Sequence, residues 1–71
     1  MKTTLVDSSV IFSIGYDETE RVLKVRFRNG RTYAYLDVPP TAHDSLLTAG
    51  SIGKYFNERI KPNYDSVRIR E

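Results

Sequence analysis

The chain has 71 residues, of which 39% are hydrophobic and 28% are charged, and its formal net charge is +2. A chain of this length can build one core, so we expect a single domain over residues 1–71. The absence of cysteine excludes disulfides and thiolate metal sites and fits the reducing cytoplasm, where we expect the protein. No apolar run approaches the length of a membrane helix, so we expect no contact with a membrane.

The first predicted strand covers residues 10–16, which are rich in β-branched and aromatic side chains. Residues 17–20 form a polar turn after it, because an aspartate at the first position can bond the backbone two residues on. Alternation along this strand predicts one buried face. Its members are Val10, Phe12, Ile14 and Tyr16.

Asn29 and Gly30 separate two alternating runs, residues 21–28 and 31–38, and predict a tight hairpin. A two-residue type I′ turn needs positive φ at both central residues, which asparagine and glycine tolerate best. The register that follows from this turn sorts the opposed residues into two faces. The apolar face carries Leu23, Val25, Phe27, Thr32, Ala34 and Leu36. The other face carries Lys24, Arg26, Arg28, Arg31, Tyr33 and Tyr35.

Helices are predicted after the third strand, which ends at Pro39-Pro40. The first covers residues 41–49 and stops at a glycine, and the second runs from the N-cap Ser51 to about residue 61. Residues 65–70 alternate again, as a final edge strand or a tail. The predicted fold class is α+β: a three-stranded antiparallel meander with two C-terminal helices on one face and a possible short final edge strand. The buried stripe of the second helix is Ile52, Tyr55, Phe56 and Ile60.

The face that combines cations with tyrosines predicts binding of RNA or single-stranded nucleic acid. Phosphates attract cations, and unpaired bases stack on aromatic rings. Two other interpretations stay open: a solvated face on which cations cover the rings, or a surface covered by a second copy of the chain or by the C-terminal tail. The predicted binding residues are Lys24, Arg26, Arg28, Arg31, Tyr33 and Tyr35.

Two further groups of polar residues are secondary binding candidates. Asp7, Ser8 and Ser9 offer hydroxyl and backbone groups to a phosphate, although such a triplet more often caps the start of a strand. Lys54 and Asn57 lie on the predicted exposed side of the second helix, where the amide could bond a base edge.

Catalysis and metal binding have little support in the sequence. His43 is the one histidine, and its sequence neighbours Asp44 and Ser45 cannot point at a common atom as a triad requires. The carboxylates of residues 17–20 lie in a turn without an apolar pocket, which does not favour general-acid work. We therefore predict no enzyme activity, no catalytic residue, no metal site and no cofactor.

Five short motifs stand in a characteristic order. They are Val6-Asp7-Ser8-Ser9, Ile14-Gly15-Tyr16-Asp17, Tyr33-Ala34-Tyr35, Val38-Pro39-Pro40 and Gly53-Lys54-Tyr55-Phe56-Asn57, with Ile60 after them. This set resembles the KTSC domain, a small family named from the C-terminus of some lysyl-tRNA synthetases. The resemblance covers roughly residues 6–64.

The resemblance implies a module without an assigned activity, and the synthetase context suggests RNA as its partner. The family's Tyr-x-Tyr motif carries over to Tyr33 and Tyr35. The function expected is a non-enzymatic accessory module that binds RNA. The alternative is a self-associating interaction module, such as a homodimer, or an oligomer that binds a small nucleotide.

Overall fold

The sheet is an antiparallel meander of five strands. In the computed structural model, which describes residues 2–70, the strands lie side by side in chain order. They are β1 (Lys2–Leu5), β2 (Ile11–Asp17), β3 (Val22–Phe27), β4 (Thr32–Tyr35) and β5 (Ser66–Ile69). The predicted α+β class is confirmed, and the alternating C-terminal run is a strand. The prediction of three main strands is wrong, because β1 and β5 extend the sheet at its two edges.

Helical segments connect β4 to β5. Helix α1 (Pro40–Thr48) begins with a proline, whose missing N–H would have no helical partner at this position. Helix α2 (Ile52–Tyr55) continues directly as a π-helical segment (Phe56–Ile60). Its N-cap is Ser51, as predicted, and the serine hydroxyl accepts a hydrogen bond from the Lys54 N–H at 3.4 Å. Within residues 2–70, no helix has the length and apolar character needed to cross a bilayer.

The core lies between the sheet and these helices. Ile14 of β2 and Leu23 and Val25 of β3 are fully buried. Phe56 and Ile60 of the π-helical segment belong to the same cluster. Full burial of such a side chain stabilises the fold by roughly 1.5–3 kcal/mol, so the core fixes which side of each strand faces the helices.

The β3–β4 hairpin has a different register from the predicted one. Val25 lies opposite Tyr33, and Leu23 lies opposite Tyr35. The tyrosines therefore share a face with the apolar side chains of β3 and not with its cations, and Tyr35 is only 4% exposed. The predicted face of mixed cations and tyrosines is wrong. The cations that the observed register separates from the tyrosines are Lys24, Arg26 and Arg28.

The turn itself explains the displaced register. The Gly30 N–H donates to the Phe27 carbonyl at 3.0 Å, and the Phe27 N–H donates to the Arg31 carbonyl at 2.8 Å. Gly30 has a φ of 91°, whereas Asn29 does not have positive φ. This is a three-residue loop, a β-turn followed by a glycine bulge, and it is one residue longer than a type I′ loop. The Asn29 side chain accepts a hydrogen bond from the Arg31 N–H at 2.9 Å, which supports the turn.

A β-bulge in β2 moves Phe12 out of its predicted place in the core. Ile11 and Ser13 pair with successive residues of β3, so Phe12 is the extra residue between two pairs. Its side chain is 42% exposed, whereas Ile11 is fully buried. Val10, which was predicted to share the buried face, is 47% exposed.

Gly30→Ala is expected to lower the free energy of unfolding by about 1–2 kcal/mol, the cost of left-handed backbone for a residue with a Cβ. A Cβ at Gly30 would have no atom within 4 Å, so the cost is conformational and not steric. Urea unfolding followed by circular dichroism measures it. Gly50→Ala is the matched control, because Gly50 has the same free space and no positive φ. Equal losses in the two variants would contradict the glycine bulge.

Candidate functional site

The side of the sheet that faces away from the helices is here named the open sheet face. In the described part of the chain, two rows of directly opposed residues cross it. The first row is Leu5, Ser13, Arg26, Thr32 and Ile69. The second row is Thr3, Gly15, Lys24, Ala34 and Val67.

Short and long side chains share the open sheet face. Ser13 and Thr32 are buried at 8% and 3% exposure, although the helices pack on the other side of the sheet. We attribute their burial to the long stem of Arg26, which lies between them in the same row. The exposed large apolar side chains of this face are Leu5, Phe12 and Val67.

The Phe12 ring lies beneath two guanidinium groups. The Cζ atoms of Arg26 and Arg28 lie 5.7 Å and 5.8 Å from the ring centroid. The Arg28 Nε also donates a hydrogen bond to the Ser8 carbonyl at 2.5 Å, which anchors this side chain. An exposed cation–π contact is worth about 0.5–1 kcal/mol. The bulge in β2 thus holds an exposed ring and two positive charges together on one surface.

A second feature, here named the aromatic cleft, has a volume of about 440 Å³ and lies on the helix side beside the β3–β4 hairpin. Tyr35 and Phe56 form its floor, at 4% and 2% exposure. Phe27 and Tyr33 are half-buried and form its walls. Its exposed rim consists of Val10, Asn29, Arg31, Asn57, Lys61 and Ser66.

The rings of the aromatic cleft pack edge to face. The centroid distances are 5.9 Å for Phe27–Tyr33, 5.5 Å for Phe27–Phe56 and 5.3 Å for Tyr35–Phe56. Burial raises the pKa of the Tyr35 phenol above its ordinary value of 10.0, and a hydrogen bond with Ser66 lowers it in part. The phenol is therefore uncharged at neutral pH. None of the described residues that line the cleft carries a carboxylate.

A third feature is a groove of about 650 Å³ between residues 7–10 and the start of α2. The Ser8 hydroxyl accepts hydrogen bonds from two backbone N–H groups at the start of β2, both at 3.2 Å. It therefore has the capping role that is common for such a serine. Lys54 lines the groove together with the carboxylates of Asp7 and Glu58, so the charge of the groove does not favour an anion.

The structure divides the predicted binding residues among these three features. On the open sheet face or at its edge are Lys24, Arg26 and Arg28. In the aromatic cleft are Arg31, Tyr33, Tyr35 and Asn57. In the groove are Asp7, Ser8, Ser9, Lys54 and again Asn57.

His43 packs against the core and faces none of these features. Its ring stacks on Tyr16, with centroids 4.5 Å apart and planes at 11°. The Tyr16 hydroxyl donates to the Val38 carbonyl, and burial raises the pKa of this phenol. Among residues 2–70, no group of three or more histidine or carboxylate side chains is placed to hold a metal ion.

Comparison with known proteins gives this architecture a family. The model of the KTSC domain matches residues 7–64. The chain belongs to the KTSC domain family. A protein of Tsukamurella paurometabola is 44% identical to this KTSC domain over 64 residues, which are 90% of the chain and 96% of that protein. An uncharacterized protein of Stutzerimonas stutzeri is 41% identical over 64 residues, which are 90% of each chain.

A solved relative has the same fold. The crystal structure of a KTSC domain protein from Yersinia pestis superposes on this KTSC domain with a TM-score of 0.93, at 40% identity and with 97% of each chain covered. The KTSC domain also matches a segment of a lysine–tRNA ligase of Nostoc punctiforme, at 34% identity over 58 residues. That segment corresponds to 82% of this chain and 10% of the ligase.

Sequence reasoning missed Phe12 as a surface residue of this KTSC domain. A signal was present, since Val10-Ile11-Phe12 are three consecutive apolar residues that a regular strand cannot place on one face. The bulge resolves this conflict by burying Ile11 and exposing Phe12. Phe27 and Phe56 were predicted only as core residues, and their part in the cleft depends on the observed hairpin register.

Proposed function

We propose that this KTSC domain is a non-catalytic module that binds single-stranded RNA on its open sheet face. In this proposal Phe12 stacks a base, which is the role that sequence analysis assigned to Tyr33 and Tyr35. Arg26 and Arg28 bind phosphates, with Lys24 beside them. The observation that carries the proposal is the exposed ring with two guanidinium groups over it.

The energies favour exchange of an arginine for a base on this ring. A base stacked on an aromatic side chain contributes about 1–3 kcal/mol. Each of the two cation–π contacts on the ring is worth about 0.5–1 kcal/mol, so the exchange is favourable when the base displaces one guanidinium and leaves the other in place. A displaced guanidinium stays beside the strand, where it can bind a phosphate of the same RNA.

The match to part of a lysine–tRNA ligase supports RNA as the nucleic acid. That protein is named for a tRNA substrate, and a segment of it is 34% identical to this chain. Sheets that present aromatic rings to unstacked bases are a common solution for single-stranded RNA.

Self-association is the second candidate function, because Leu5, Phe12 and Val67 are exposed on the same face. The charges favour a polyanion instead. The two rows of the open sheet face contain Lys24 and Arg26 and no carboxylate, so two copies packed face to face would bring like charges together.

Binding of a short labelled RNA is expected to weaken about 20-fold between roughly 50 and 200 mM salt, if three cations neutralise phosphates at the single-strand slope. Fluorescence anisotropy at several salt concentrations measures this slope. No binding at the lowest salt would remove the proposal. A dimer that Leu5→Ala dissociates, without RNA binding, would favour self-association.

A matched pair of double variants shows whether the open sheet face is responsible. Arg26→Gln with Arg28→Gln should lower the salt slope by roughly 1.4, since two phosphate contacts are lost. Lys54→Gln with Arg59→Gln removes the same charge from exposed positions on the helices and should leave the slope unchanged. Equal weakening by both pairs would mean that net charge, and not this face, binds the RNA.

A further inference from the structure

The aromatic cleft is a second site, on the other side of the sheet from the open sheet face. We propose that it binds a nucleotide as a small molecule, with the base against Tyr33 and Phe27 and the phosphate at Arg31 and Lys61. This inference does not depend on RNA binding by the open sheet face. The two sites use different side chains, so each can be tested with variants that leave the residues of the other in place.

The shape of the cleft suits a small planar ligand. Its volume of about 440 Å³ lies within the range of roughly 300–1,000 Å³ that is usual for small-molecule sites. The buried rings of Tyr35 and Phe56 give it an apolar floor. Phe27 and Tyr33 are half-buried, so part of each ring faces the cleft and offers a stacking surface.

The charge of the cleft selects an anion. Arg31 and Lys61 are exposed at its rim, and none of its described lining residues is acidic. The Tyr35 phenol adds no negative charge at neutral pH, because burial raises its pKa. An apolar floor with cations at the rim fits a ligand that is planar and uncharged at one end and anionic at the other.

The amides of the rim supply the hydrogen bonds that a base edge requires. Asn57 is exposed at the rim, and its side chain offers both donors and an acceptor. The Asn29 side-chain oxygen Oδ1 accepts a hydrogen bond from the Arg31 N–H, and the NH₂ group of the same side chain offers donors to a ligand. A nucleobase edge presents donors and acceptors side by side, so a nucleotide matches this rim better than a lipid or a simple aromatic acid.

The observed hairpin register divides the predicted binding residues between the two sites. Tyr33 and Tyr35 were predicted to stack bases beside Lys24 and Arg26, which lie on the opposite face. The cleft keeps an aromatic role for Tyr33 and gives it Arg31 as its cation.

Chemical-shift mapping by NMR tests the proposal on the intact chain. AMP, GMP, CMP and UMP are titrated separately, each with its own nucleoside as the control without phosphate and with ribose 5-phosphate as the control without a base. At least one mononucleotide should shift the amide signals of Arg31, Tyr33, Asn57 and Lys61. It should also bind about tenfold or more tightly than either fragment, since each fragment lacks one half of the recognition.

The variants assign the binding to this cleft. Arg31→Gln with Lys61→Gln changes two exposed positions. It should weaken nucleotide binding about tenfold, because the charge-assisted hydrogen bonds to the phosphate are lost. Tyr33→Leu should weaken the binding of the nucleoside and of the nucleotide by the same factor, because both stack on this ring. Arg26→Gln on the open sheet face should change neither.

Three outcomes would overturn the proposal. The first is the absence of saturable shifts with every mononucleotide up to about 1 mM. The second is equal affinity for ribose 5-phosphate and the nucleotides, which would leave the aromatic walls without a function in binding. The third is a set of shifts centred on Phe12 and Arg26. Loss of RNA binding in the Arg26/Arg28 double variant, with nucleotide binding kept, would separate the two sites.

Discussion

Tyr35→Ala is expected to lower the melting temperature by more than about 12 °C, which corresponds to roughly 3–5 kcal/mol of unfolding free energy in a domain of this size. Tyr35 is 4% exposed and packs edge to face on Phe56 at 5.3 Å. Its removal leaves a cavity between β4 and the π-helical segment. The total stability of a chain of 71 residues is about 4–11 kcal/mol, so the variant would lose a large part of it. Thermal unfolding followed by circular dichroism measures the change.

Tyr35→Phe is the control for this prediction. It keeps the ring and removes only the hydrogen bond with Ser66, so a loss of about 1 kcal/mol is expected. With a type I′ turn, Tyr35 would lie on the solvated face, and its replacement by alanine would change stability by less than about 0.5 kcal/mol. A melting temperature of Tyr35→Ala close to that of the wild type would therefore contradict the observed register.

The position of the hairpin was predictable, but its register was not. Asn29-Gly30 indicates a reversal of the chain in both turn types, and only the backbone of Asn29 separates them. The structure keeps Asn29 out of the positive-φ region and uses its side chain to bond the Arg31 N–H. This choice adds one residue to the loop, and one residue moves every β4 side chain to the other face.

Features that depend on one element alone survive this error. The alternation of Lys24 and Arg26 with Val25 places both cations on one face of β3 whatever its partner does. The Ser51 cap and the buried Phe56 and Ile60 also follow from local spacing, and the structure has all three. The cation half of the candidate site was therefore predictable from sequence.

Features that depend on pairing between elements could not be predicted from the sequence. β1 (Lys2–Leu5) has only one apolar residue, and it is a strand because it pairs with β2. The bulge that exposes Phe12 depends on how β2 pairs with β3. The aromatic cleft requires the hairpin, the π-helical segment and β5 at once, which no local pattern encodes.

Phe12→Ala is expected to weaken RNA binding about 5- to 150-fold, the equivalent of one stacked base at 1–3 kcal/mol. The salt slope should stay the same, because the variant removes no phosphate contact. Arg26→Gln removes one phosphate contact and should therefore lower the salt slope by roughly 0.7. Because Phe12 is 42% exposed, its loss should leave the fold intact, and anisotropy titrations at two salt concentrations separate the two effects.

Leu5→Ala and Phe12→Trp test whether the Phe12 ring binds RNA by stacking. Leu5 is 71% exposed on the same face, so its truncation removes apolar area without removing a π surface and should not affect RNA binding. Phe12→Trp keeps a stacking surface and should bind RNA at least as tightly as the wild type. If Leu5→Ala weakened binding as much as Phe12→Ala, the open sheet face would act through general apolar contact. The proposal that a base stacks on this ring would then be wrong, and self-association of the open sheet face would be favoured.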